Sequence, residues 1–298
     1  MSYQLDIDGG AKKVTEILGK LPPNLSSSSS VVESVKRKLF QYSARAFFAG
    51  QKKAIGQIQD RTQHIKEMCG MVDLFLSPSK FLITKFKEFG IPEEKMIFSD
   101  YGFDILPFAN FKRTESKKIR FGYVGSIIPT KGIHVLIEAL NKIADARAGL
   151  VIWGKDVGYD GVNNYSEYLK GIVKNPAIRF AGEYDNKKIA EVLADIDVLI
   201  VPSIWYENSP LTIHEAFLAK TPLIVSGIGG MAELVKDGVN GLHFCMGDAR
   251  DLAAKIISIL DNPSLISELA KNASEVKTIQ ENAEEITQFY ASLTGRLQ

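Results

Sequence analysis

From Ile119 onward, short apolar runs alternate with longer amphipathic stretches. The apolar runs are bounded by glycine or proline and are, in order, IRFGYVG, GLVIWG, IRFAG, DVLIVPS, TPLIVSG and GLHFC. Helical patterns such as GIHVLIEALNKIADA and NKKIAEVLADI lie between them. Buried strands that alternate with helices of this length indicate βαβ units and a parallel sheet covered on both faces. The pattern therefore predicts an α/β fold, with a doubly wound Rossmann-like parallel sheet over residues 111–275.

The residues before this alternation predict a smaller, partial α/β region. VDLFLS and KMIFS have the pattern of buried strands, and SKFLITKFKEF between them is an amphipathic helix stopped by Gly90 and Pro92. Residues 31–69 contain no proline and predict one or two helices. We assign residues 31–110 to this partial N-terminal region.

The two ends of the chain have different patterns. Residues 1–30, which end in LPPNLSSSSS, predict a flexible segment or linker, because they carry too little apolar surface to offset the entropy of ordering. Helices are expected from Asp248, Pro263 and about Thr278. We expect the last of them, in residues 276–298, to pack back toward the N-terminal region.

Composition narrows the class of protein. The 298-residue chain has a net charge of +1, which gives no indication of a nucleic-acid partner. Its two cysteines are too few for a disulfide framework and are typical of a reducing cytoplasm. No apolar run approaches the roughly 20 residues that span a bilayer, and the N-terminus lacks the order of a signal peptide. We expect a cytoplasmic protein.

Residues 36–53, KRKLFQYSARAFFAGQKK, interleave basic and aromatic side chains. Such a helix either packs its aromatic side chains in a core, which we favour, or lies on an anionic membrane. Peripheral contact with the inner face of a membrane therefore stays open.

The loops that follow the strands carry the candidate chemistry, because ligands of open parallel sheets bind beyond the carboxyl ends of the strands. SIIPTKG follows the first strand and places Lys131 at the mouth of a helix. The unpaired amides of a helix N-terminus and an adjacent lysine together suit a phosphate. The plainer alternative is a surface lysine ahead of a helix.

WYENSPLTIHEAF follows a later strand and sets one glutamate on each side of a helix start. Ser209 is the expected N-cap and Pro210 the first helical residue, so that the amides of Leu211 and Thr212 point into the crevice. Glu215 lies on their face of the helix, where a carboxylate can clasp a vicinal diol. In the plainer alternative, Glu207 is a solvent residue and Glu215 compensates the helix dipole.

Three blocks of sequence, GSIIPTKG, SIWYENSPLTIHEA and PLIVSGIGGMAELVKDGVNGLHF, resemble in order and spacing the nucleotide-sugar-binding half of the retaining GT-B glycosyltransferases of family 4 (group 1). The family signature is a glutamate, seven residues and a second glutamate, which Glu207 and Glu215 match. The resemblance implies that Lys131 contacts the donor diphosphate, Glu207 the transferred sugar and Glu215 the ribose. It also places the turn Gly182-Glu183-Tyr184 against the base.

The resemblance assigns Glu207 and Lys131 as catalytic residues. The donor-binding residues that it implies are Gly125, Ser126, Lys131, Gly182, Glu183, Tyr184, Ser209, Pro210, Leu211, Thr212 and Glu215. One position departs from the family, which often has an arginine where this chain has Ser126. Because serine brings no charge, the diphosphate then depends more heavily on Lys131.

The function that the resemblance implies is transfer of a hexose from a nucleoside-diphosphate sugar to a hydroxyl of a carbohydrate or lipid-linked acceptor, with retention and without a metal. From this resemblance we expect the acceptor half of a GT-B enzyme to be incomplete in this chain. Either the chain is a shortened form, or another polypeptide completes it, or it is a nucleotide-sugar-binding module without transfer. Exposed surface around residues 72–105 predicts self-association or a partner chain through the N-terminal third.

Other motifs favour neither a dinucleotide nor a metal. GIGGMA matches the dinucleotide fingerprint, but the helix after it is too short to direct its dipole at a pyrophosphate. Asp195-Ile196-Asp197 matches a metal-binding D-x-D but precedes a strand, at the wrong end of the sheet. The histidines show no metal-ligand spacing, and His134 and His214 are expected to be packing or surface residues, with His214 pointing off the crevice face. We predict no cofactor and no metal.

Overall fold

The computed structural model describes residues 56–159, 161 and 164–295. The predicted linker (residues 1–30), the basic and aromatic segment (residues 36–53) and residues 31–55 of the predicted helices lie outside the described residues. The chain divides into two compact units, Met1–Val72 and Asp73–Gln298. Of the first unit the structure describes residues 56–72, and residues 56–70 are helical.

The second unit begins with a small β–α–β element. Strands β1 (Phe75–Ser77) and β2 (Met96–Phe98) pair in parallel, and helix α1 (Lys80–Phe89) lies between them in the chain. The Ser79 hydroxyl accepts a hydrogen bond from the Leu82 amide and caps the start of α1. Gly90 ends the helix in the left-handed conformation. The two strands and the helix predicted from VDLFLS, SKFLITKFKEF and KMIFS are present, but the strands are only partly buried, since Leu76 and Phe98 are each 40% exposed.

The main sheet has six parallel strands. They are β3 (Ile119–Val124), β4 (Ala148–Trp153), β5 (Ile178–Gly182), β6 (Val198–Val201), β7 (Leu223–Ser226) and β8 (Gly241–Phe244). Their order across the sheet is β5–β4–β3–β6–β7–β8. Every residue of β6 and β7 is buried, as expected for strands covered on both faces. The prediction of a doubly wound parallel sheet is confirmed.

Helices connect the strands and follow the last of them. They are α2 (Ile133–Asn141), α3 (Tyr165–Ile172), α4 (Ile189–Ala194), α5 (Leu211–Leu218), α6 (Gly229–Leu234), α7 (Ala249–Asp261), α8 (Ser264–Lys271) and α9 (Ile279–Leu293). Single 3-10 turns occur at Glu93–Lys95, Leu106–Phe108, Pro129–Lys131 and Asn186–Lys188. The sequence did not predict α3, because it buries only Tyr165 and Leu169 and so has a weak apolar stripe.

Alternate residues of the strands β6 and β7 enter two apolar layers. In β6, Val198 and Ile200 join the layer that includes Leu136 of α2 and Ile256 of α7. Leu199 and Val201 join the other layer, which includes Leu193 of α4, Phe217 of α5 and Met231 of α6. The period of two along a strand produces this division.

The strand order reverses direction between β3 and β6. The chain runs outward from β3 to β4 and β5, then returns to the other side of β3 for β6, β7 and β8. Such a switch point opens a crevice at the carboxyl ends of the two strands. The loops after β3 and β6 therefore lie side by side.

The last helix is held by the segment that leads from β2 toward β3. Thr278 and Glu281 form a capping box at the start of α9. The Phe103 amide donates to the Lys277 carbonyl (2.8 Å), and the Ile279 amide donates to the Phe103 carbonyl (3.0 Å). The domain boundaries proposed at residues 110 and 275 stay predictions.

Candidate functional site

The loop after β3 lies directly on the loop after β6. It ends in the 3-10 turn Pro129–Lys131, followed by Gly132 at φ 69°. A Cβ at Gly132 would be 1.9 Å from the Pro202 carbonyl oxygen, so only glycine permits this approach. The Ile204 amide donates to the Thr130 carbonyl at 2.9 Å and joins the two loops.

Lys131 and Glu207 meet across these loops. The Lys131 Nζ is 2.8 Å from Glu207 Oε1, and the Ser203 hydroxyl donates to the same oxygen at 2.8 Å. The Glu207 side chain is 16% exposed and the Lys131 side chain 32%. The resemblance assigns these two residues separate roles, whereas in the structure they form one ion pair.

Helix α6 contacts the backbone around Glu207. The Gly230 amide donates to the Glu207 carbonyl at 2.8 Å. A Cβ at Gly230 would lie 1.5 Å from the Asn208 carbonyl oxygen, so this contact also requires glycine. The GIGGMA stretch thus supports the Glu207 loop, and α6 is six residues long, too short for a dinucleotide site.

The β1–α1–β2 element also reaches this loop. The Phe81 ring stacks on the Tyr206 ring, with centroids 5.5 Å apart. The Ser79 hydroxyl donates to the Asn208 side chain. The Glu233 carboxylate of α6 accepts the amides of Lys80 (2.9 Å) and Phe81 (2.8 Å). The loop that carries Glu207 is therefore fixed by elements on both sides.

The start of α5 differs from the prediction. The helix begins at Leu211 with Pro210 in the N-cap position and no side-chain cap, so Ser209 as N-cap was wrong. The Ser209 hydroxyl instead contacts Asp100 Oδ1 (3.0 Å) and His214 Nε2 (2.8 Å). In the described part of the chain, the amides of Leu211 and Thr212 have no hydrogen-bond partner.

Glu215 lies one turn inside α5. Burial raises its pKa to about 7, and no described residue donates a hydrogen bond to its carboxylate. Burial also raises the pKa of Tyr184 to about 12, with a smaller contribution from the charge of Glu215. The structure thus brings Glu215 near Tyr184, from two regions that the sequence analysis assigned to the same ligand.

The turn after β5 borders a cleft of about 230 Å³. Gly182 and Glu183 line it together with Gly154, Lys155 and Asp156. Glu183 pairs with Lys155 at 3.2 Å. Lys131, Glu207 and Glu215 do not line this cleft, which belongs to the end of the sheet formed by β4 and β5.

The loop after β3 also holds Gly125 and Ser126. The Tyr123 hydroxyl donates to the Ser126 carbonyl oxygen at 2.7 Å, and the Gly125 amide donates to the Trp153 carbonyl oxygen at 3.1 Å. The Ser126 residue is exposed. The backbone of this loop is therefore fixed while Ser126 faces solvent.

The chain is similar to known proteins over this same region. The sequence model of the family described as "Glycosyl transferases group 1" matches residues 107–276, more than half of the chain. This chain belongs to that family. The matched range includes Lys131, Glu207 and Glu215.

Curated relatives match the same half. The chain is 32% identical over 171 residues to a glycogen synthase of Mycobacterium tuberculosis, covering 57% of this chain and 40% of that protein. It is 30% identical over 172 residues to the lipopolysaccharide core biosynthesis glycosyltransferase LpsE of Rhizobium meliloti, covering 57% of this chain and 48% of that protein. The chain thus matches less than half the length of these curated relatives.

Solved structures share the fold. Anabaena Alr3699/HepE, in complex with UDP and glucose, superposes with a TM-score of 0.66 at 23% identity, over 74% of this chain and 63% of that chain. Sucrose-phosphate synthase from Thermosynechococcus elongatus gives a TM-score of 0.68 at 22% identity, over 80% of this chain and 62% of that chain. The six-stranded parallel sheet is that of the GT-B glycosyltransferases.

Several motifs that carried no predicted role in binding have structural roles in this chain. Arg120 pairs with Asp197 at 2.8 Å and with Asp195 at 3.3 Å, which makes the D-x-D a helix-to-strand corner. His134 contacts the Tyr165 hydroxyl through Nδ1 at 2.7 Å. Within the described residues, no group of three histidine, cysteine or acidic side chains could hold a metal ion. Nor is any described helix both long and apolar enough to cross a bilayer.

The contacts of Asp100 and Ser203 were not predicted from the sequence, whereas His214 was expected to be a packing or surface residue and is buried. Ser203 is fully buried and contacts Glu207. His214 is 4% exposed, stacks on Phe103 and contacts Ser209. No local signal indicates these contacts, because Asp100 and Ser209 are 109 residues apart in the chain.

Proposed function

We propose that this group 1 glycosyltransferase belongs to family 4 and transfers a hexose from a nucleoside-diphosphate sugar to a hydroxyl acceptor, with retention and without a metal. One observation carries the proposal. Two adjoining loops and the start of α5 supply a lysine ammonium, two helix amides that have no hydrogen-bond partner among the described residues, and two carboxylates, of which Glu207 is ion-paired and Glu215 is buried. This set matches the charges and hydroxyls of a nucleotide sugar.

The diphosphate needs positive charge, above all when it leaves. Lys131 supplies a full charge, and the amides of Leu211 and Thr212 supply the partial charge of a helix start. Donors that are already oriented stabilise a leaving anion without reorganising during the reaction. The chain itself therefore provides the electrophilic assistance that the proposal requires.

The two carboxylates serve the two sugars of the donor. Glu215 has unused acceptor capacity and can clasp the ribose diol. Glu207, which Lys131 and Ser203 hold in place, contacts the transferred hexose near the reacting carbon. In the front-face displacement of this family, the leaving diphosphate helps to remove the acceptor proton. The turn Gly182-Glu183-Tyr184 lies against the base.

The donor site is tested by calorimetric titration with UDP, GDP and ADP in the presence of a chelator. We expect at least one of them to bind, and Lys131→Ala to weaken that binding. Lys271→Ala, which removes an exposed lysine at the end of α8, serves as the matched control and leaves affinity unchanged. Absence of binding to all three nucleotides contradicts the proposal.

A second candidate keeps the same donor site without the transfer step. It is a nucleotide-sugar-binding module without transfer, or a donor-binding half that another polypeptide completes. Release of nucleoside diphosphate from UDP- and GDP-sugars, with added carbohydrate or lipid-linked acceptors, separates transfer from binding alone.

We further propose a cytoplasmic protein that associates through its N-terminal third, with itself or with a partner chain. The surface of β1 and β2 exposes Leu76 and Phe98, each 40% exposed. Light scattering with and without residues 1–70 measures the association. Vesicles of anionic lipid test peripheral membrane contact. A monodisperse monomer with efficient transfer contradicts the association.

A further inference from the structure

Asp100, Ser209 and His214 form a polar cluster at the start of α5, in which Ser209 and His214 are buried and Asp100 is 18% exposed. The Ser209 Oγ is 3.0 Å from Asp100 Oδ1 and 2.8 Å from His214 Nε2. His214 Nε2 is also 3.6 Å from Asp100 Oδ2. Ser209 is 7% exposed and His214 4%, so water competes little for these bonds. The cluster joins the helix to the segment before β3.

The direction of these hydrogen bonds follows from their chemistry. An ionised carboxylate only accepts, so the Ser209 hydroxyl donates to Asp100. The Ser209 oxygen then accepts from His214, which places the ring proton on Nε2. Burial lowers the pKa of His214, against the opposing effect of Asp100, and favours the neutral ring. Phe103 stacks on that ring, with centroids 4.8 Å apart.

The backbone of Asp100 is anchored from the other side. Its carbonyl oxygen accepts from Lys277 Nζ (3.2 Å) and from Asn282 Nδ2 (3.0 Å). The neighbouring Ser99 hydroxyl donates to Glu285 of α9 at 2.6 Å. Asp100 is therefore held by α9 and the residues before it, and its carboxylate binds Ser209 at the start of α5.

The helix lacks the usual means of fixing its own start. Its N-cap residue is Pro210, which has no side chain that can accept from the helix amides. Ser209, the nearest residue of capping type, faces Asp100 instead. The orientation of the Leu211 and Thr212 amides thus depends on a contact with a distant part of the chain.

We propose that His214, Ser209 and Asp100 are positioning residues that hold the first turn of α5, and with it Glu215, in the orientation that binds the donor. The proposal rests on the proposed function. It deepens that function by assigning the preorganisation of the helix start to three residues that need not touch the ligand. Removal of the cluster therefore loosens the helix start and lowers nucleotide affinity together.

The experiment measures amide hydrogen exchange over residues 211–215 without ligand, and nucleoside-diphosphate affinity by calorimetry. Asp100→Ala breaks the cluster at its fixed point, and His214→Leu removes its imidazole donor at similar volume. His214→Gln keeps an N–H donor and is the conservative variant. Ile259→Ala in α7 is the matched control, because it creates a cavity in the apolar layer on the other face of the sheet.

We expect Asp100→Ala and His214→Leu to raise exchange over residues 211–215, and each to weaken UDP, GDP or ADP binding by about tenfold. The double variant is no weaker than the singles, since residues of one network do not act additively. His214→Gln stays within about threefold of the native chain. Ile259→Ala changes neither quantity. Where Asp100→Ala fails to fold, Ser209→Ala, which removes one oxygen atom, replaces it.

Two results overturn the proposal. One is unchanged exchange over residues 211–215 in the folded cluster variants, or an equal increase in Ile259→Ala. The other is native nucleotide affinity in variants whose exchange has increased. If the native chain binds none of the three nucleotides, the proposed function fails. The exchange measurement then still decides whether the cluster holds the helix start.

Discussion

The two glutamates of the candidate site stand in opposite environments. Glu207 is bound by Lys131 and Ser203, each at 2.8 Å, so its charge is compensated before any ligand arrives. Glu215 accepts no hydrogen bond from the described residues, and burial raises its pKa to about 7. Glu207 already has its ion-pair and hydrogen-bond partners in the free protein, whereas the Glu215 carboxylate can still accept hydrogen bonds from a ligand.

A ligand must therefore interact with the two glutamates in different ways. At the Glu207 end, the ligand must either share Lys131 with Glu207 or displace Lys131 from that ion pair. At the Glu215 end, its hydroxyls provide the first hydrogen bonds to a half-buried carboxylate, and an unpaired buried polar group costs about 1–3 kcal/mol. Binding therefore relieves the Glu215 end and rearranges the Glu207 end.

The largest expected effect is on turnover at the Glu207 end. Glu207→Gln should lower the release of nucleoside diphosphate from a sugar donor by about 100-fold or more, as loss of an electrostatic contact to the reacting centre does. Affinity for the free diphosphate should be unchanged or higher, because Lys131 loses its charged partner. Glu275→Gln, at an exposed position, is the control. Equal losses of turnover and affinity contradict the division of roles.

The next effect concerns the cation itself. Lys131→Ala should weaken nucleoside-diphosphate binding by about 10- to 100-fold, since a charge-assisted hydrogen bond contributes about 1.5–3 kcal/mol. Binding of the nucleoside without phosphate should be unaffected. Lys131→Arg keeps the charge and should retain most of the affinity. Titrations at two salt concentrations check the charge, because a screened contact weakens as salt rises. A loss shared by the nucleoside means that Lys131 is structural.

A smaller effect distinguishes the Glu215 end. Glu215→Gln should weaken nucleotide binding by about tenfold at pH 8 and abolish the preference for ribose over 2′-deoxyribose. Native affinity should rise from pH 6 to pH 8, because the carboxylate ionises near pH 7 and only then accepts from both hydroxyls. The variant should show no such rise. Titrations with both nucleotides at both pH values measure this, and a ribose preference that survives the change contradicts the assignment.

The strands and helices that carry the site could be predicted from the sequence, because the signals for these elements are local. Apolar runs between glycine and proline form the strands, and Asp248 caps α7 through the amides of Arg250 and Asp251. The loops after β3 and β6 lie side by side, because parallel strands end at one edge of the sheet.

The partners of the site residues could not be predicted, because they come from distant segments. Lys131 and Glu207 are 76 residues apart, and Ser209 and Asp100 are 109 apart. Ser209 has the pattern of an N-cap, but a tertiary contact overrides that local preference. Helix α3 was not predicted for a different reason. Only two of its residues are buried, so its sequence lacks a clear apolar stripe.

The smallest expected effect is on the stability of the free protein. The raised pKa of Glu215 means that the folded state holds its proton more tightly than the unfolded state does. The stability from this group is fully present below its ordinary value of 4.5 and is lost as pH rises through about 7. Glu215→Gln removes this dependence and should be more stable than the native chain at pH 8, by about 1–2 kcal/mol after allowance for partial exposure.

At pH 8 this difference corresponds to a rise in Tm of a few degrees, and near pH 4.5 it should vanish. Glu207→Gln should have the opposite sign at pH 8, because it leaves the Lys131 ammonium half-buried without its carboxylate partner. Thermal unfolding of both variants between pH 4.5 and pH 8 gives the effect of each glutamate on Tm, so that the two effects can be compared directly. If Glu215→Gln changed Tm equally at both pH values, the raised pKa would not be the cause. If the two variants shifted Tm in the same direction at pH 8, the contrast between Glu207, which is ion-paired, and Glu215, which has no partner among the described residues, would be wrong.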